Sequence, residues 1–169
     1  MQILLDTKQL LLTIKRLSQQ LVEDSEKLDN IVFIGIQPRG TKLSDSIIAE
    51  ITKLCPGEKI NYGLLDITFY RDDIRNELHV ANNTYIPFSI EGKKVILIDD
   101  VLYTGRTTRA ALDALQDFGR PRKVELCVLI NRRFNRELPI QPDFCGKAID
   151  TMISQKVKVE WDQKQVVIY

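Results

Sequence analysis

The chain has 169 residues, 44% of them hydrophobic and 28% charged, with a formal net charge of +1 and one histidine. Such a composition predicts one globular domain with a sizeable core, and near-neutral charge excludes a general attraction to nucleic acid or to a membrane surface. Cys55, Cys127 and Cys145 form no CxxC and leave an odd count, so no zinc site or disulfide framework is expected; with no signal-like or bilayer-length apolar run, the expected location is cytoplasmic.

Asp6 followed by Gln9 reads as a capping box, opening a helix whose Leu10, Ile14, Leu17 and Leu21 share a face. Its outer face carries Lys8, Lys15 and Arg16 early and Glu23, Asp24 and Glu26 late, a solvated mixture. Residues 31–36 (IVFIGI) read as a strand buried on both faces, running through Gln37-Pro38-Arg39-Gly40 into a helix striped by Leu43, Ile47, Ile51 and Leu54. Taken alone, that loop is either an ordinary strand-to-helix turn or an anion-binding loop with an arginine. Residues 60–70 read as a long strand with a bulge at Gly63, and the polar run 71–83 as a loop in which His79 is solvated rather than catalytic.

Val95, Ile96, Leu97 and Ile98 predict another doubly buried strand, ending on Asp99 and Asp100 where it leaves the sheet. In open α/β sheets, ligands bind beyond the carboxyl ends of the strands. Thr104, Gly105, Thr107 and Thr108 follow, offering hydroxyls and amides to an anion at the start of a helix near Arg106. A ribose 5-phosphate satisfies both halves, with its phosphate in the loop and its 2- and 3-hydroxyls on the two carboxylates. Acid pairs after a strand also occur in receiver domains and nucleotide hydrolases, and Thr-Gly turns also cap helices. Neither GxxxxGK[ST] nor GxGxxG is present. The whole succession, strand, Asp-Asp, three residues, Thr-Gly-x-Thr-Thr, resembles the diphosphate-sugar signature of type I phosphoribosyltransferases.

Beyond it, Ala111, Leu112, Leu115 and Phe118 predict a helix stripe closed by Gly119 and Pro121, and residues 124–130 a further strand. Alternating strands and helices from 31 to 130 predict a mainly parallel sheet with right-handed crossovers. Residues 131–146, rich in arginine and proline, break the pattern, and 156–161 with 166–169 predict a terminal hairpin around 162–165.

The stretches LLDITFYRDDIR, VILIDDVLYTGRTTRAALDAL, FGRP and RELPIQPDFCGK together resemble the PyrR family, bacterial pyrimidine operon regulators that also have uracil phosphoribosyltransferase activity. The resemblance implies an α/β fold of the type I phosphoribosyltransferase kind, a mainly parallel central sheet flanked by helices, in a single domain over residues 1–169. Its core spans about 20–130, with a small hood from the N-terminal segment and from about 131–169. It implies Mg2+, with 5-phosphoribosyl 1-diphosphate (PRPP) and uracil as reactants and UMP and diphosphate as products. A regulator that keeps the pocket as a nucleotide sensor, with little catalysis, is the alternative. Pro38, Arg39 and Gly40 match the diphosphate loop. Asp99, Asp100, Val101, Leu102, Tyr103, Thr104, Gly105, Arg106 and Thr107, with Thr108, match the ribose-phosphate site. Arg71, Asp72 and Asp73 match the start of a loop covering the reaction, Arg132 or Arg133 a ligand-contacting arginine, and Ile149 the hood segment that meets the base. Catalytic roles are expected of Asp99, Asp100, Arg39 and Arg71, and the two aspartates are expected to reach magnesium indirectly, through PRPP and water. A homodimer or higher homo-oligomer is expected, without a membrane partner, and any binding of an mRNA leader is expected to be weak because the net charge is close to neutral. Three departures stand out: a shorter loop after Arg71, an extra residue with Asn131 in place of aspartate in 131–136, and Gln19 and Asp24 where the RNA-contacting helix is basic.

Overall fold

The computed structural model describes residues 1–25, 27–73 and 81–169; His79 and most of the predicted covering loop lie outside them. Its central feature is a five-stranded parallel sheet in the order β3 (Asn61–Asp66), β2 (Ile31–Gln37), β4 (Lys94–Leu102), β5 (Lys123–Arg132), β6 (Phe144–Ile149). Strands β2 and β4 lie inside the sheet, which is why their sequences are nearly continuous apolar runs. Successive side chains alternate between the two faces. Phe33, Ile96, Ile98, Cys127 and Leu129 enter one core, with Leu10, Ile14, Leu17 and Leu21 of α1 (Thr7–Glu23) and Leu43, Ile47 and Ile51 of α2 (Gly40–Leu54). Val32, Ile34, Val95, Leu97 and Val128 enter the other, with Ala110, Ala111, Ala114 and Leu115 of α3 (Arg106–Leu115).

The capping box is present as read: the Gln9 amide donates to Asp6 Oδ1 at 2.8 Å, and the Asp6 amide to Gln9 Oε1 at 3.0 Å. The stripe of α3 matches expectation at Ala111 and Leu115, both buried, and differs at the other two positions. Leu112 and Phe118 are exposed, and alanines make the contact because a helix lying close on a sheet has room only for small side chains.

Strand β3 stops at Asp66, short of the predicted end at residue 70. Asp66 Oδ1 accepts from the Thr68 hydroxyl at 2.7 Å and the Thr68 amide at 3.2 Å, turning the chain into a 3-10 turn. Gly63 forms no bulge and pairs in register with Ile34. Its missing side chain admits Tyr85, whose carbonyl would lie 2.6 Å from an added Cβ and which exchanges two backbone hydrogen bonds with Leu64 at the sheet edge.

Residues 144–149, expected in the hood, instead add the fifth parallel strand. A second sheet joins the chain ends antiparallel in the order β1 (Gln2–Leu5), β8 (Gln165–Ile168), β7 (Val157–Glu160); the terminal hairpin was expected and β1 was not. Asp24 pairs with the buried Lys94 at the amino end of β4, so this departure from a basic helix face has a structural partner. No helix of the described residues is long and apolar enough to cross a membrane.

Candidate active site

A cavity of about 550 Å3 opens at the carboxyl ends of the central strands, the size of a small-molecule site. β2 delivers Ile36 and Gln37, followed by Pro38 and Arg39; β4 delivers Asp99, Asp100, Val101 and Leu102; and Tyr103, Thr104 and Gly105 lead to Thr107 and Thr108 in the first turn of α3. Ile67, Thr68, Arg71, Asp73 and Asn82 close one side, Arg132 and Val157 another.

β4 was expected to end on the two acids but runs on to Leu102, so they sit within its last residues. Both are buried, and the Asp100 amide donates to Asp99 Oδ1 at 2.9 Å. Burial, together with the charge of Asp100, pushes the Asp99 carboxyl well above the usual range. Burial raises Asp100 as well, against the opposing pull of Arg39. Two adjacent carboxylates held out of water therefore ask for hydroxyl donors or positive charge from a ligand.

Arg39 precedes a close helix-to-strand contact. A Cβ on Gly40 would stand 2.3 Å from the Ile98 carbonyl oxygen, so the start of α2 touches the backbone of β4 beside the acids. Gly105 adopts φ 93°, a left-handed conformation that favours glycine, and turns the chain into α3. The dipole of α3 adds partial positive charge at this loop.

The arginines divide. Arg132 is buried, its guanidinium 3.9 Å over the Tyr103 ring, and donates to Thr151 Oγ1 at 2.9 Å and to the carbonyls of Gln155 at 2.9 Å and Met152 at 3.3 Å. Arg133 is exposed and forked on Asp150, away from the cavity lining. Arg71 lines the cavity while forked on Asp73 at 2.9 and 2.6 Å. Arg106 points elsewhere, pairing with Asp72 at 3.0 Å and Glu137 at 2.5 Å. Gly40 contributes contact with β4 rather than lining, and Ile149 faces the core beside Arg132 in register, so neither they nor Arg106 line the cavity. Gln37, Thr68, Asn82 and Val157 line it without having been singled out from the sequence. Among the described residues the buried Gln37 Oε1 has no hydrogen-bond partner, which leaves it an acceptor for a ligand donor. Its place directly before Pro38-Arg39, at a strand end, was the available signal.

The phosphoribosyl transferase domain family matches residues 1–164. The bifunctional protein PyrR of Acetivibrio thermocellus is 46% identical over 159 residues, 93% of this chain and 85% of that protein. That of Haemophilus ducreyi is 46% identical over 162 residues, 94% and 88% of the two chains. Among solved structures, a hypoxanthine phosphoribosyltransferase of Trypanosoma cruzi superposes with a TM-score of 0.74 at 16% identity, covering 99% of this chain and 90% of its own. One from Staphylococcus aureus gives 0.70 at 24% identity, covering 90% and 80%. These structural likenesses speak for the fold, and the sequence relatives carry the family. With its acid pair, its Thr-Gly loop and this kinship over nearly the full length, the chain belongs to the PyrR family within the phosphoribosyltransferase domain proteins.

Proposed function

We propose that the chain transfers the 5-phosphoribosyl group of PRPP to uracil, giving UMP and diphosphate. The observation that carries this reading is the joining of a buried carboxylate pair and a phosphate-shaped loop on one strand-loop-helix unit, with Arg39 on the same cavity. Thr104, Gly105, Thr107 and Thr108 hold the 5-phosphate, and Asp99 and Asp100 accept from the ribose hydroxyls. In the reaction the bond from the anomeric carbon to diphosphate breaks, a bond to N1 of uracil forms, and N1 loses its proton. Positive charge develops on the sugar as the leaving group departs. Asp99 and Asp100 oppose it in a site where burial strengthens the interaction, and Arg39 faces the departing oxygens.

Among the described residues no three carboxylate, histidine or cysteine groups converge into a metal cage. Mg2+ keeps several waters and rides on substrate phosphates, so it needs few protein ligands. Asp99 and Asp100, whose charged forms are disfavoured by burial, are the residues that would hold it indirectly, and the ion would neutralise diphosphate charge. The reading is tested by turnover of PRPP with uracil against hypoxanthine, guanine and orotate. Uracil is expected to be preferred, and turnover of a purine without uracil would overturn the substrate while leaving the transfer chemistry.

A regulatory role in binding a pyrimidine-leader RNA is the second reading, favoured by the exposed Lys8, Lys15 and Arg16 on α1. These are few cations for a polyanion, so pairing of two chains, doubling the patch about a two-fold axis, is part of this reading.

A further inference from the structure

Residues 136–140 pass behind the phosphate loop and grip it at several points. Arg136 donates from Nη1 to the Tyr103 carbonyl and from Nη2 to Asn131 Oδ1, the latter at 2.6 Å. The amides of Glu137 and Leu138 donate to the Thr104 carbonyl at 2.9 and 3.2 Å. The Glu137 carboxylate accepts from Arg106 Nε at 2.5 Å. Ile140 and the Cδ of Arg136 stand 3.4 and 3.5 Å from where a Cβ of Gly105 would lie, covering that glycine from behind.

The consequence follows from peptide planarity. In a trans peptide the carbonyl and the next N–H point in opposite directions. With the Tyr103 and Thr104 carbonyls drawn back toward 136–138, the amides of Thr104 and Gly105 turn the other way, and both residues line the cavity. Consecutive amides turned to one side form an anion-binding concavity. The two acceptors of Arg136 are neutral, and among the described residues no carboxylate forms an ion pair with it. Asn131 is central to this, because it keeps the hydrogen bond that an aspartate would make without cancelling the charge.

We propose that Arg136 is a positioning residue for the phosphate end of the phosphoribosyl ligand: it holds the loop carbonyls back so that the following amides face the ligand, and its unneutralised charge strengthens the loop as an anion site. The inference rests on reading the cavity as a phosphoribosyl site. Ribose 5-phosphate is titrated calorimetrically into the wild type, R136Q, R136K and N131D, with thermal unfolding and the KM for PRPP and kcat measured beside it. R136Q is expected to weaken ribose 5-phosphate by about 10-fold or more, the scale of a lost charge-assisted hydrogen bond, and to raise KM more than it lowers kcat. R136K recovers part of the affinity, because an ammonium keeps the charge but cannot fork onto both acceptors in one plane. N131D keeps the bond, opposes the charge and weakens binding a few-fold at low salt, less at high salt. A folded R136Q with wild-type affinity overturns the proposal; if R136Q does not fold, unchanged affinity in both R136K and N131D overturns it. A wild type that binds no ribose 5-phosphate overturns the reading of the cavity itself, whereas a binding wild type with unmoved variants overturns only the role of Arg136.

Discussion

Replacing Gly40 with alanine tests whether the contact of α2 on β4 sets the geometry of the acids and Arg39. The added Cβ would lie 2.3 Å from the Ile98 carbonyl oxygen and 3.1 Å from the Asp99 Cα, both backbone atoms that cannot rotate aside. Ordinary contact begins at 3.4 Å, so the first turn of α2 must retreat by about 1 Å, carrying Arg39 away from Asp99 and Asp100. A misplacement of about 1 Å costs roughly 10²-fold in rate, and overpacking of this kind costs about 1–3 kcal/mol of stability. Leu43, Ile47 and Ile51 keep α2 anchored in its core, so the variant is expected to fold. UMP formation at varied PRPP, read beside thermal unfolding, should show kcat/KM down by about 10²-fold. The comparison is Gly92→Ala: Gly92 has φ 67° and open space around it, so alanine there strains the backbone by about 1 kcal/mol without touching the site. Wild-type kcat/KM in Gly40→Ala, or a loss no greater than in Gly92→Ala, would refute the contact as a determinant of the site.

Asp100→Asn keeps the shape of the side chain and removes its charge. kcat/KM for PRPP is expected to fall by about 10²-fold or more with folding intact, whereas an unfolded protein or normal turnover would make Asp100 a structural residue. For Asp99 the folded carboxyl is raised by burial, so its contribution to stability is fully present below its unfolded pKa and is lost as pH rises through the raised value. Asp99→Asn cannot ionise and is expected to be more stable than the wild type at neutral pH, with the gap closing as pH falls toward about 4; urea unfolding over that range checks it, and a gap independent of pH contradicts it. For the regulatory reading, Lys15→Ala combined with Arg16→Ala should weaken binding of a pyrimidine-leader hairpin and flatten its salt dependence by about two phosphate contacts. Tight binding unmoved by both substitutions would put any RNA surface elsewhere.

What was legible in the chain is what local chemistry decides. The Asp6–Gln9 box, the doubly buried strands and the Asp-Asp to Thr-Gly succession carry their own signals, and the structure brings the acid pair and the Thr-Gly loop together at one cavity. What escaped depends on neighbours. Strand β6 reads as FCGKAI, with a lysine and a glycine, because it is an edge strand whose Gly146 lies against the Leu129 carbonyl and whose faces are partly exposed. Gly63 looked like a bulge because sequence alone does not reveal the approach of Tyr85. Of the stripe expected on α3, Ala111 and Leu115 are buried, while Leu112 and Phe118 give way to Ala110 and Ala114, because distance to the sheet, not hydrophobicity, chose the contact. Gln37 and Arg136 lie outside the recognised phosphate motifs, and only folding sets one on the cavity and the other against the loop behind it.

The most direct test of the central claim is formation of UMP from PRPP and labelled uracil in the presence of magnesium, followed together with release of diphosphate. Saturable turnover in both substrates, with one diphosphate for each UMP and near-complete loss in Asp100→Asn, is the result predicted by the acid pair and phosphate loop at this cavity. A folded wild-type protein that forms no UMP at saturating PRPP and uracil would contradict it.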